Sequence, residues 1–142
     1  NLESLSNAMT DAAVDQLLTE MQFDSNGLVP AIAQQHDTGE VLMMAWMNVD
    51  AIRESLTSGR VCYWSRSRGA LWKKGETSGQ IQALKELRVD CDGDTILVLV
   101  DQTGVACHTG RRNCFYRAVR DSAFIEIADI ETDPKALYGE DA

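Results

Sequence analysis

Residues 81–101 read IQALKELRVDCDGDTILVLVD. Ile81, Ala83, Leu87 and Val89 alternate with Gln82, Glu86, Arg88 and Asp90, with Lys85 breaking the apolar side and Leu84 the polar side. A period of two is the signature of a half-buried strand. Asp92-Gly93 then gives a two-residue hairpin signal, and Thr95 to Asp101 returns as the second strand. This stretch therefore predicts an antiparallel pair.

Working outward, turns and strands continue. Leu28 to Gln35 reads as a strand, with Pro30 favouring its start or an edge. Asp37-Thr38-Gly39-Glu40 turns the chain into Val41 to Met47, whose unbroken apolar run predicts burial on both faces. Val61 to Arg66, Phe115 to Arg120 and Phe124 to Ile127 are shorter strands. Arg68 to Gln80 has three glycines and no period, so it reads as a loop. Thr10 to Met21 has apolar residues at helical spacing, with Thr10 or Asp11 as N-cap. Asn48 caps a second helix over Val49 to Ser58, and Gly59 ends it. The acidic tail from Glu131 to Ala142 forms a peripheral helix or frays. The fold class is α+β and strand-rich, mostly antiparallel, with two or three peripheral helices.

At 142 residues, 44% hydrophobic and 25% charged, the chain fits one globular domain. Asn1 to Ala8 precede Met9 and read as a vector remnant, so the domain is expected over 9–142. No apolar run approaches the roughly 20 residues of a membrane helix. The net charge of −9 argues against a sequence-independent grip on nucleic acid. Yet Arg60, Arg66, Arg68, Lys73 and Lys74 lie in one stretch without an acid, which suits a small-anion site. The four cysteines form no CxxC pair, and no secretion signal precedes them, which favours a reducing cytoplasmic setting.

Three of those cysteines carry the chemistry. Cys91, Cys107 and Cys114 stand in polar turns rather than apolar runs, whereas Cys62, in a strand with Tyr63 and Trp64, reads as core. Three thiolates suit a zinc site that keeps one position for water. His108 could be a further ligand, a general base or a surface residue. Adjacent strand residues point to opposite faces, which favours a proton-transfer role beside the metal. Asp90, Asp92 and Asp94 alternate with Cys91 and Gly93. Extended geometry would put the carboxylates on one side, where a hard cation such as magnesium would relieve their repulsion. A calcium EF-hand is rejected because its sixth position would be Thr95 and a strand follows. A solvated acidic hairpin is the competing reading.

The basic stretch adds a ligand. Trp64-Ser65-Arg66-Ser67-Arg68 sets an aromatic plane beside two guanidinium groups, a pairing suited to a base and a phosphate. Lys73, Lys74, Glu76, Thr77 and Ser78 follow in a glycine-bounded loop that can wrap a phosphate. Arg111 and Arg112 add charge next to His108.

The segments WSRSR, LWKKGETSGQ, VDCDGD and CHTGRRNCFYR, in this order, resemble the phosphoribosyl-AMP cyclohydrolases of histidine biosynthesis, from about Phe23 to Arg120. The resemblance implies hydrolysis of the N1–C6 bond of the adenine ring of phosphoribosyl-AMP. It implies one zinc per subunit on Cys91, Cys107 and Cys114, and one magnesium on Asp90, Asp92 and Asp94. It implies substrate contacts from Trp64, Ser65, Arg66, Ser67, Arg68, Lys73, Lys74, Glu76, Thr77, Ser78, Arg111 and Arg112. It further implies an intertwined, pseudobarrel-like homodimer in the cytoplasm, with Cys91 from one chain and Cys107 and Cys114 from the other completing each zinc site. Cys62 stands where phenylalanine is more usual, and Asn113 where serine is frequent, so neither inherits a role. Zinc would activate the attacking water, with His108 moving its proton. Two other classes compete. A zinc-stabilised binding module explains the cysteines but not the aspartates or the basic stretch. A deaminase would carry a Pro-Cys-x-x-Cys segment, which is absent.

Overall fold

The computed structural model of the chain describes residues 2–138. Eleven elements follow in order: α1 (Leu2–Glu20), β1 (Val29–Gln35), β2 (Val41–Met47), α2 (Val49–Ser58), β3 (Cys62–Ser65), β4 (Ala70–Lys73), β5 (Gln82–Val89), β6 (Ile96–Gln102), β7 (Arg117–Arg120), β8 (Ala123–Glu126) and α3 (Pro134–Tyr138). The strand-rich α+β class is borne out. The helix start expected at Thr10 or Asp11 lies inside α1, which begins earlier. Residues 139–142 of the acidic tail lie outside the described residues.

The main sheet runs β4-β3-β2-β1-β6-β5. Every neighbouring pair is antiparallel except β1 and β6, which run parallel from Ala31↔Ile96 to Gln35↔Val100. The residues just before β3 then reach β5. Val61 N–H donates to Gln82 O (3.0 Å), Leu84 N–H donates to Gly59 O (2.8 Å), and Arg60 bridges Ala83. These contacts curl the sheet into a half-barrel.

Alternation explains the core. Val29, Ala31 and Ala33 of β1 face Ile96, Val98 and Val100 of β6 on the buried side, with Ile52 of α2 and Tyr63 packed among them. α2 has the ends its sequence predicts. The Asn48 side chain accepts the Ala51 N–H at 2.8 Å, and Gly59 closes the helix in a left-handed conformation with its N–H on Ser55 O.

Three expectations are corrected. β2 is not buried on both faces throughout: Val41 and Met44 are exposed. A bulge opposite Ala33 and Gln34 lets the consecutive Leu42 and Met43 both turn inward. Residues 68–80 are not all loop, because β4 pairs with β3 from Cys62↔Lys73 to Ser65↔Ala70. Leu71 and Trp72 are too short an apolar run to announce a strand. Finally, the connection between β5 and β6 is longer than two residues. Asp90 N–H donates to Thr95 O (3.0 Å), so residues 91–94 form the tip.

β7 and β8 form a separate ribbon, turned by Asp121 and Ser122, both with positive φ. Positive φ at both central residues is the type I′ signature. Phe124 and Val119 on this ribbon are largely exposed.

Candidate active site

The acidic tip is built by its turn. The Asp90 carboxylate accepts the backbone N–H of Asp94 (3.0 Å) and of Thr95 (3.2 Å). Gly93, at φ 76°, brings its carbonyl to Gln22 N–H (2.7 Å), and a Cβ there would lie 2.2 Å from Glu20 O. Only glycine lets this tip dock against the end of α1. The carboxylates of Asp90, Asp92 and Asp94 consequently meet, with ligand atoms within 4.8 Å of one another. They meet by wrapping of the turn, not by the strand alternation expected from sequence.

Crowding shows in their acidities. Desolvation raises the Asp90 carboxyl, but hydrogen bonds with Asp94, Thr95 and Asp92 outweigh it and hold it below the usual range. Asp94 is pushed up by its hydrogen bonds with Asp90 and Asp92. Three exposed carboxyl groups sharing one space fit a hard divalent cation.

The thiols lie on a second loop. Ala106 N–H donates to Arg112 O (2.9 Å) and Cys107 N–H to Arg111 O (3.1 Å), which folds 106–112 back on itself. Cys114 N–H donates to Leu42 O (2.7 Å), fastening the loop to β2. Gly110 packs so tightly on the tail that a Cβ would lie 1.9 Å from Thr132 O. Cys107 is buried, Cys114 is half-buried, and the Cys107 sulfur lies 3.0 Å from the Thr109 hydroxyl. Burial and the neighbouring Cys107 push the Cys114 thiol up to about 12. Two thiols this close fit a borderline or soft cation that would replace their protons. Cys91 does not join them. Among the described residues, Asp90, Asp92 and Asp94 are the only three or more His, Cys, Asp or Glu side chains that gather within 4.8 Å. Cys91 is instead exposed on the acidic tip.

A cavity of about 280 Å³ is lined by Arg68, Trp72, Lys74, Gly75, Glu76, Thr77, Ser78 and His108. Gly75 (φ 83°) makes it possible: a Cβ would lie 2.6 Å from the backbone of Gln80 and Ile81. Gly79 N–H then closes the loop on Gly75 O at 2.8 Å. Trp72 also borders a second cavity of about 620 Å³, with Met44, Ala45, Trp46, Trp64, Ser65, Arg66 and Ser67. Here the Arg66 guanidinium stacks over Trp46 at 4.6 Å. Trp46 was missed from sequence because it sits in the apolar run of β2 and read as core.

The fold thus brings together Trp64 to Arg68, Lys74, Glu76 to Ser78 and His108. Three basic residues point elsewhere. Lys73 pairs with Glu54 of α2 at 3.3 Å. Arg111 donates to Ala128 O (2.9 Å) and Glu126 (3.1 Å) and stacks on Tyr116 (4.0 Å). Arg112 donates to Glu40 (3.3 Å), Gln35 (3.1 Å), Gln102 O (3.2 Å) and Gly104 O. In this chain those two guanidinium groups fasten the thiol loop to the ribbon and the sheet.

The chain is similar to proteins of one family. The family profile described as Phosphoribosyl-AMP cyclohydrolase matches residues 43–116, which span both cavities, the acidic tip and the thiol loop. A curated phosphoribosyl-AMP cyclohydrolase of Rhodospirillum centenum is 70% identical over 131 residues, covering 92% of this chain and 98% of the relative. One from Paramagnetospirillum magneticum is 63% identical over 92% of this chain and 97% of the relative. One from Granulibacter bethesdensis is 67% identical over 84% and 94%. Identity this high over nearly whole chains, together with the family profile over 43–116, is family membership: the chain belongs to the phosphoribosyl-AMP cyclohydrolases.

Proposed function

We propose that the chain hydrolyses the N1–C6 bond of phosphoribosyl-AMP in histidine biosynthesis, at a site that two copies complete. The observation that carries this reading is the cavity where Lys74 and His108 converge beside the thiol-bearing loop. Its mouth is cationic and hydroxylic, suited to phosphate, and its Trp72 wall is suited to a purine ring. Water must reach C6 and lose a proton there. His108, exposed at the rim, is the group that takes it. Arg66 and Arg68 hold phosphate, while Trp64 and Trp72 orient the ring.

Cys107, Cys114 and a third thiolate would hold zinc, and Asp90, Asp92 and Asp94 would hold magnesium, one of each per subunit. Bound zinc supplies the Lewis acidity that makes a water nucleophilic near neutral pH. The third thiolate is Cys91 of a second copy. Two facts support that reading: Cys91 stands apart from the thiol pair, and the β7–β8 ribbon exposes Val119 and Phe124. A two-stranded ribbon is marginal alone and gains stability by packing against a neighbour. No helix among the described residues is long and apolar enough to cross a membrane, and the reading places the protein in the cytoplasm.

The test is direct. Purified protein with zinc and magnesium should change the ultraviolet spectrum of phosphoribosyl-AMP without releasing ammonia. Release of ammonia, or no spectral change, would refute the reading.

A further inference from the structure

Gln80 follows the loop whose residues Gly75 to Ser78 line the cavity of about 280 Å³. Its carboxamide joins that loop to a second segment. The oxygen Oε1 accepts the Val105 N–H at 2.9 Å. The nitrogen Nε2 donates to Ser78 O at 3.3 Å. This orientation of the amide satisfies both neighbours, since Val105 offers a donor and Ser78 an acceptor. The turn before Val105 is shaped to admit the group: a Cβ on Gly104 would lie 1.8 Å from Oε1.

The rest of Gln80 is held as firmly. Its N–H donates to the Ser78 hydroxyl (3.2 Å), and its carbonyl accepts Nε2–H of the buried Gln102 (3.1 Å). Gln102 Oε1 accepts from Gln82 (2.9 Å), whose own Oε1 accepts the Tyr63 hydroxyl (2.7 Å). A row of satisfied buried amides thus anchors Gln80 in the core. Gly75 packs on the same backbone, because a Cβ there would lie 2.6 Å from the Gln80 carbonyl carbon.

Ser78 and His108 both line the cavity, whereas Gln80 does not. The exposed His108 follows the buried stretch Val105-Ala106-Cys107, so the place of its ring depends on where that stretch is held. Among the described residues, the hydrogen bonds that join residues 75–80 to residues 102–108 both fall on Gln80. The thiols have fastenings of their own: Cys107 N–H on Arg111 O and Cys114 N–H on Leu42 O. Gln80 is therefore placed to fix the cavity without being needed to fix the thiols.

We propose that Gln80 is a positioning residue, whose carboxamide ties Ser78 to Val105 and so sets the separation of Ser78 and His108 across the cavity. The assignment rests on the function proposed above, in which Ser78 belongs to the phosphate loop and His108 takes a proton from water. A proton acceptor works only within hydrogen-bond reach of its donor, and a misplacement of about 1 Å can cost about 10²-fold in rate. Gln80 touches no reacting atom and acts through His108.

A double-mutant cycle tests this. Gln80→Met keeps the length of the side chain and removes both bonds. The unaltered protein, Gln80→Met, His108→Ala and the double variant are assayed with phosphoribosyl-AMP, with zinc per subunit and thermal midpoint measured on the same samples. Gln80→Met should keep its zinc, hold KM within about threefold and lose about 10–10²-fold in kcat. In the His108→Ala background the same change should cost less than about threefold, because the group it places is gone. Gln80→Glu keeps an oxygen for Val105 N–H but turns a second oxygen towards Ser78 O, so its loss should vanish in His108→Ala too. It takes the place of Gln80→Met in the cycle if that variant does not fold. Equal losses in both backgrounds would make Gln80 a general support of the fold and overturn the proposal. So would unchanged kcat in Gln80→Met, a loss confined to KM, or zinc lost along with activity. Failure of the unaltered protein to open the ring would instead refute the underlying function.

Discussion

At the scale of single residues, the neighbouring Cys107 and His108 have different tasks because they have different surroundings. Cys107 is buried and its sulfur lies beside Thr109, while His108 projects into the cavity from an exposed position. His108→Ala should therefore keep its metals and fold yet lose about 10²–10⁴-fold in turnover. Metal analysis together with steady-state kinetics checks this, and full activity would remove the assigned role. Arg111 and Arg112 show how tertiary partners engage a charge. Both looked like anion binders from charge alone. In the fold, the Arg112 guanidinium is divided among Glu40, Gln35 and two backbone carbonyls, none of them adjacent to it in sequence.

At the scale of elements, local signals were strongest where local physics decides. α2 is bounded by Asn48 and Gly59, because a side-chain acceptor and a left-handed glycine satisfy a helix end from within the segment. Asn48→Ala should cost about 1 kcal/mol of stability, measured by urea unfolding. The break at Lys85 also had local meaning. β5 pairs Leu84 with Val100 and Glu86 with Leu99, so Lys85 is the extra residue of a bulge. An apparent flaw in alternation was the record of that bulge. β4 left no comparable trace, since its strand character depends on pairing with β3 more than on its own residues.

At the scale of the whole molecule, the thiols pose the larger question. One chain gathers the three carboxylates but not the three cysteines. If a second copy supplies Cys91, the exposed ribbon is where separation should begin. Val119→Glu with Phe124→Glu should yield a monomer that loses zinc and turnover together. Size-exclusion chromatography with zinc analysis reads both, and a zinc-loaded, active monomer would sink the shared site.

The sequence by itself determined the strand alternation, the caps of α2, the turn glycines and the donor types of the site, because each depends on residues a few positions apart. The tertiary structure decided the parallel pairing of β1 with β6 and the closure of residues 59–61 onto β5. It also decided that Trp46 borders a cavity and that Lys74 is buried. Those properties are set by contacts between segments tens of residues apart, where burial and charge pairing depend on what the folded chain brings alongside.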